Sequence, residues 1–186
     1  MLRLPLAVFA ILATANVALA QPAQVIIIRH AEKPEDGNEL NLRGRERAGA
    51  LVAYFESAPE VTEFKTPTAI YAQLPKDETS SIRSAQTVQP LADALHLALH
   101  RTFTKTEHPQ MVDEIMHKPE YAGHTVLICW EHKVIPDMAR EFGVTDGPTK
   151  WSGSVYDRAW VITFHAGSKP TLKVVPERLM YGDSSE

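Results

Sequence analysis

The chain has 186 residues, with 19 basic against 23 acidic side chains and a formal net charge of −4. This mildly acidic balance, without any basic run, excludes the electrostatic footprint of a nucleic-acid or membrane-surface binder. A single cysteine, Cys129, excludes an internal disulfide; its place in the apolar run Thr125 to Trp130 predicts a buried thiol.

Met1 to Ala20 differs from everything after it. Arg3 gives a short positive start, Leu4 to Val17 is apolar except for Thr14 and Asn16, and Ala18-Leu19-Ala20 fits a small-x-small cleavage pattern. The expectation is a signal peptide over residues 1–20, cleaved before Gln21, and a periplasmic or secreted product. The alternative is a retained anchor, for which the apolar stretch is short against the about 20 residues that span a bilayer. No stable membrane insertion is expected after cleavage. Residues 21–186 then form one domain of 166 residues with a net charge of −5, long enough for its own core.

Val25 to Ile28 is an unbroken β-branched run, the pattern of a strand buried on both faces. Arg29-His30 ends it, and a loop with Pro34, Asp36 and Gly37 follows. Asn41 is placed to cap a helix whose apolar positions are Leu42, Ala48, Leu51, Val52 and Phe55. Gly44 and Gly49 weaken that helix and are expected to mark close packing against the sheet. Ala69 to Ala72 reads as a short strand, Gln73 to Ser81 as a polar loop, and Ser80 or Ser81 to Leu95 as a helix that Pro90 can kink. Leu97 to Phe103 is a possible short strand, and Pro109 to His117 a helix with Met111, Val112, Ile115 and Met116 on its apolar side. Thr125 to Trp130 is the second deeply buried strand, with Glu131-His132 directly after it. A helix over Val134 to Phe142 ends at Gly143, and Val144 to Ser154 is a Gly/Pro/Ser-rich loop. Ala159 to Phe164 and Thr171 to Val175 are expected to pair as an antiparallel hairpin at the sheet edge.

Strands alternating with helices call for a three-layer α/β/α sandwich around a mainly parallel, mixed central sheet. Right-handed crossovers bring the ends of the two buried strands to one rim, where ligands bind in open α/β sheets. Arg29, His30 and His132 therefore come within reach of one another, joined by Arg83 from the first turn of the second helix. Two guanidiniums and two imidazoles make a pocket for a dianion, helped by the helix N-terminus behind Arg83. Taken singly, each has an ordinary reading: Arg29 salt-bridged to Glu32, Arg83 a surface helix residue, His132 a hydrogen-bonded edge histidine. Their convergence on one rim argues for function.

The same residues carry a resemblance. Ile28-Arg29-His30-Ala31-Glu32-Lys33 resembles the R-H-G/A motif of the histidine phosphatase (phosphoglycerate-mutase-like) superfamily. Leu40 to Gly44, with Ala48 and Leu51, resembles its L-T-x-x-G-x-x-Q-A-x-x-L helix. Ser81, Arg83, Gln86 and Thr87 resemble its S-x-x-x-R-x-x-Q-T block, one residue shorter before the arginine. Val126 to His132 resembles the strand ending in the second catalytic histidine. The four blocks stand in the family's order and cover nearly the whole of residues 21–186.

The resemblance implies a phosphatase in which His30 attacks phosphorus and becomes phosphohistidine, while Arg29, Arg83 and His132 bind the phosphoryl group. It implies no metal and no other cofactor. It places an acid for the leaving group after the second arginine, which points to Glu107. Glu131 is the rival, able to reach the pocket only if the backbone turns there, because strand neighbours face opposite ways. Some relatives acting on phosphohistidine manage without an acid.

The other histidines offer no ligand-spaced cluster; His96 and His100 lie beyond the end of their helix. Trp130, Trp151 and Trp160 read as core or pocket wall, and Lys33 as a solvated lysine that could touch substrate. The expected substrate is a small-molecule, glycan-borne or protein-borne phosphomonoester outside the cytoplasm. A phosphate- or sugar-phosphate-binding module without turnover would use the same arginines. A phosphomutase is disfavoured, since no G-x-S-x-W-N continuation follows His30. The pattern does not fix an oligomeric state.

Overall fold

The computed structural model describes residues 21–183; the signal-peptide expectation for residues 1–20 lies outside them. Strand β1 (Gln24–Arg29) is buried at all six positions. It pairs in parallel with β4 (Thr125–Trp130), which is buried throughout as well, and antiparallel with β5 (Arg158–Thr163). Strand β2 (Ala69–Ala72) lies parallel to β4, and a two-residue β3 (Leu99–His100) lies parallel to β2. Strand β6 (Thr171–Pro176) closes the other edge against β5, as the hairpin pattern predicts, giving the order β3-β2-β4-β1-β5-β6.

Alternation along β1 sets the layers. Ile26 and Ile28 pack with Leu51 and Phe55 of α1 (Leu42–Ser57) and with Val88 and Leu91 of α3 (Arg83–Ala94). A four-residue turn, α2 (Pro59–Thr62), ends the first crossover and adds Val61 to that layer. Val25 and Ile27 face the opposite way. There Met111 and Ile115 of α4 (His108–His117) and Ile135 and Met138 of α5 (Ile135–Glu141) cover the sheet. Helices thus lie on both faces of a mixed sheet, the three-layer sandwich expected from the element order.

Asn41 caps α1, its side chain accepting from the Gly44 N–H at 2.8 Å. The two glycines of this helix part company. A Cβ on Gly44 would stand 2.4 Å from the Glu32 carbonyl oxygen, whereas one on Gly49 would meet nothing within 4 Å. Only Gly44 marks close packing, and its neighbour is the loop after β1 rather than the sheet. The Leu97–Phe103 strand shrinks to Leu99–His100, since only Ile70 and Tyr71 of β2 pair with it. Cys129 is fully buried, and burial pushes its thiol pKa up. Among the described residues no helix is long and apolar enough to cross a membrane.

Candidate active site

The register Arg29↔Trp130 places the ends of β1 and β4 side by side, and the His30 N–H donates to the Trp130 carbonyl at 3.1 Å. The start of β5 and the end of β6 reach the same rim, through Ile28↔Ala159 and Arg158↔Pro176. Four loops meet there: those after β1, β2 and β4, and the one leading into β5.

His30 is 5 % exposed, and its Nδ1 lies 2.7 Å from the Ala31 carbonyl oxygen. A carbonyl can only accept, so Nδ1 carries the proton and Nε2 keeps its lone pair. Burial lowers the pKa of His30 to about 4, and the nearby charges of Arg29, Arg83 and His132 push the same way against the pull of the Ala31 carbonyl. The ring is neutral at pH 7. The loop behind it is fixed from α3, where the Thr87 hydroxyl accepts from the Ala31 N–H at 2.9 Å.

Arg29 is 3 % exposed and held from one side. Its Nη1 donates to the carbonyls of Val155 at 2.8 Å, Gly153 at 3.0 Å and Ser152 at 3.4 Å, and the Tyr156 ring stacks on the guanidinium at 3.8 Å. Its Nε is buried and has no hydrogen-bond partner among the described residues. Anchoring one nitrogen while leaving another buried donor unmet prepares the guanidinium for an anion. The supporting loop is braced in turn: Trp151 stacks on Trp160 and donates from Nε1 to the Val155 carbonyl at 2.9 Å. The ordinary reading of Arg29 as salt-bridged to Glu32 is not what the structure has: Glu32 pairs with Arg47 at 2.8 Å and Arg43 at 3.2 Å.

His132 comes to the cluster from the turn after β4. The chain leaves the strand at Trp130, and the Val134 N–H donates to the Glu131 carbonyl at 3.2 Å. The backbone therefore does turn, the condition on which a role for Glu131 depended. Glu131 Oε1 lies 3.9 Å from His132 Nδ1, and its other oxygen pairs with Lys105. Burial lowers the pKa of His132, Arg29 adds to this, and Glu131 opposes it. Gly153 faces the same imidazole: a Cβ there would stand 3.6 Å from His132 Nε2.

Two expected residues are placed differently from their expected roles. Arg83 begins α3, near enough for its charge to bear on His30, but its fork is taken by neighbours. It donates from Nε to the Glu39 carbonyl at 2.9 Å, from Nη1 to the Ser81 hydroxyl at 3.2 Å, and from Nη2 to the Gly37 carbonyl. Glu107 closes a capping box, accepting from the Thr104 N–H at 2.8 Å and hydroxyl at 2.6 Å. Those bonds hold its carboxyl below the usual range. The cap turns Glu107 to Thr104, whereas Glu131 stands beside His132.

Sequence reasoning missed Tyr156, the Ser152–Val155 carbonyls and Lys105. Backbone carbonyls leave no signature in a sequence, although the density of glycine and serine after Val144 marks a loop with freedom to wrap a side chain. Lys33 is exposed, as a solvated loop lysine would be.

No protein-family model matches the chain. Among solved structures, the chain is similar to the protein histidine phosphatase SixA complexed with tungstate. The TM-score is 0.52 at 14% identity, over 83% of this chain and 97% of that one. Mycobacterial glucosyl-3-phosphoglycerate phosphatase matches with a TM-score of 0.57 at 12% identity, over 83% and 98% of the two chains. The alpha-ribazole phosphatase from Shigella flexneri matches with a TM-score of 0.50 at 14% identity, over 84% and 98%. At such identities the likeness is one of architecture. The chain shares the fold of these solved phosphatases.

Proposed function

We propose that the protein is a metal-independent phosphomonoesterase that works through a phosphohistidine on His30, on a phosphorylated substrate outside the cytoplasm. The observation that carries this reading is the state of His30: neutral, with its Nδ1 proton turned to the Ala31 carbonyl, beside an arginine with a buried, unmet Nε–H. A nucleophile and an anion site adjoin on one rigid strand end. The names of the structural neighbours, phosphatases among them, support the same class. The N-terminal pattern of residues 1–20 supports the location.

In this mechanism the phosphoryl oxygens bind the guanidinium of Arg29 and the imidazole of His132, and Arg83 adds its charge. His30 Nε2 attacks phosphorus in line; the N–P bond forms as the ester P–O bond breaks. Glu131, the carboxyl beside His132, delivers the proton to the leaving oxygen. Water then attacks phosphorus, the N–P bond breaks, and the proton of that water returns to Glu131. Guanidiniums supply the charge neutralisation that divalent ions supply in other phosphoryl-transfer sites.

The test is turnover of an aryl phosphate in the presence of EDTA, wild type against His30→Ala. Turnover that survives chelation and disappears in the variant is expected. Activity lost with EDTA would exclude the metal-free mechanism. Phosphate binding by the wild type without turnover would leave the binding-module reading in its place.

A further inference from the structure

The chain between β3 and α4 brings a cation to the edge of the proposed site. Lys105 opens a single turn of 3₁₀ helix, Lys105–Glu107, and its ammonium pairs with Glu131 Oε2. The Glu131 side chain is 19% exposed and that of Lys105 44%. The contact is one of charge rather than an aligned hydrogen bond, since that oxygen has no hydrogen-bond partner among the described residues. Lys105 thus takes one carboxylate oxygen, and the other, Oε1, is the one that faces His132 Nδ1 at 3.9 Å.

Partly exposed ion pairs ordinarily contribute little, because two long side chains must be ordered to form them. Here the backbone of each partner is already fixed. The Leu74 N–H donates to the Phe103 carbonyl at 2.8 Å, and Leu74 forms a parallel bridge with Thr104. Thr104 and Glu107 then close their capping box, which shapes the turn that starts at Lys105. On the other side, the Glu131 N–H donates to Gln73 Oε1 at 3.2 Å, and the Gln73 N–H donates to the Cys129 carbonyl at 3.3 Å. The neighbours Gln73 and Leu74 therefore brace both partners. What those bonds leave free is the Glu131 side chain, and Lys105 is the ammonium paired with it.

A proton donor works only within hydrogen-bond reach of the leaving oxygen, so a carboxyl that swings away loses rate without losing substrate. Resting on the phosphatase reading with Glu131 as its acid, we propose that Lys105 is a positioning residue, which pins one oxygen of Glu131 and so directs the other toward His132 and the leaving group. A protonated carboxyl keeps an accepting oxygen, so the pairing persists when Oε1 carries the proton to be donated. Glu107 serves the same end at one remove, through the turn that carries Lys105.

Steady-state kinetics on the full chain test this with an alkyl and an aryl phosphate, because the alkyl leaving group is the one that needs the proton. Lys105→Met should lower kcat on the alkyl phosphate about fivefold, the upper end for a partly exposed ion pair, with KM nearly unchanged. The aryl rate should fall less. Lys105→Arg, which keeps the charge, should restore most of the alkyl rate. In the Glu131→Gln background Lys105→Met should cost nothing further, since no carboxylate is left to hold. A lysine that merely stabilised its loop would lower both substrates alike and add its cost to that of Glu131→Gln. An alkyl rate indifferent to Lys105→Met, equal losses on both substrates, a raised KM in place of a lowered kcat, or additivity with Glu131→Gln would overturn the positioning role alone. Wild-type protein that turns over neither substrate would overturn the phosphatase reading, and the role of Lys105 with it.

Discussion

At the residue scale the chemistry rests on what each side chain is prevented from doing. His30 cannot easily take a second proton, because burial and the surrounding positive charge hold its pKa to about 4. The acid limb of kcat/KM that reports the nucleophile should therefore fall near pH 4 rather than near the 6.5 of a free imidazole; a limb at 6.5 assigned to His30 would contradict its placement. Arg29 is immobilised through Nη1 and the Tyr156 ring. Arg29→Lys keeps the charge and loses the fork, and is expected to lower kcat/KM by about 10²–10³-fold, the cost of removing a preorganised donor. Glu131→Gln should lower kcat by about 10²–10⁴-fold on alkyl phosphates and much less on aryl phosphates, whose leaving groups need no proton. Glu107→Gln should leave both rates near wild type, because that carboxylate serves the cap at Thr104.

At the element scale, the rim is built by loops pressed against rigid supports. The closest approach is α1 against the loop after β1, where a Cβ on Gly44 would lie 2.4 Å from a backbone oxygen. Gly44→Ala must push α1 away from Glu32 and is expected to destabilise the fold by about 1–3 kcal/mol, read from chemical denaturation. Gly49→Ala, with open space around it, should stabilise by up to about 1 kcal/mol through helix propensity. These two outcomes separate glycines that look alike in the sequence. The buried strands were legible for a simple reason: Val25 to Ile28 and Thr125 to Trp130 are apolar on both faces, and only a central strand needs that. Asn41 was legible because capping is local chemistry. The environment of Arg83 was not, because the carbonyls of Gly37 and Glu39 come from another loop; nor was the grip of Ser152–Val155 on Arg29, 123 or more residues away in sequence. Glu107 fitted the family's spacing, yet Thr104 three residues before it made a capping box equally readable from the same letters.

At the scale of the whole molecule, one buried charge cluster joins the loop after β1, α1, the end of β6 and the last described residues. Glu177 at its centre is 5 % exposed, and burial, with Asp157, Asp183 and Glu32 nearby, raises its pKa to about 8 despite Arg47 at 3.5 Å. Asp183 goes the other way: burial opposes it, but bonds from Arg47 and the Met180 N–H bring it to about 2. The signs follow from proton counting. Between pH 4.5 and 8 the folded protein holds a proton on Glu177 that the unfolded chain has released, so this group's stabilisation is lost as pH rises through that window. Between 3.8 and 2 the unfolded chain takes up a proton that folded Asp183 refuses, so its contribution is lost as pH falls there. His30, neutral when folded down to about pH 4, costs stability in the same direction from about 6.5 downward. Thermal melts should show Glu177→Gln with a flatter decline of Tm between pH 5 and 8 than wild type; an unchanged slope would place the proton elsewhere.

The measurement closest to the central claim is the identity of the phosphoenzyme. Full-length protein is mixed with a ³²P-labelled aryl phosphate, quenched within milliseconds, and digested for peptide mapping. The expected result is label that is acid-labile and alkali-stable, on the peptide containing His30, and absent from His30→Ala. Turnover of the same substrate with no such label, or with label on a serine, on His132 or retained in the His30→Ala variant, would contradict the assignment of His30 as nucleophile.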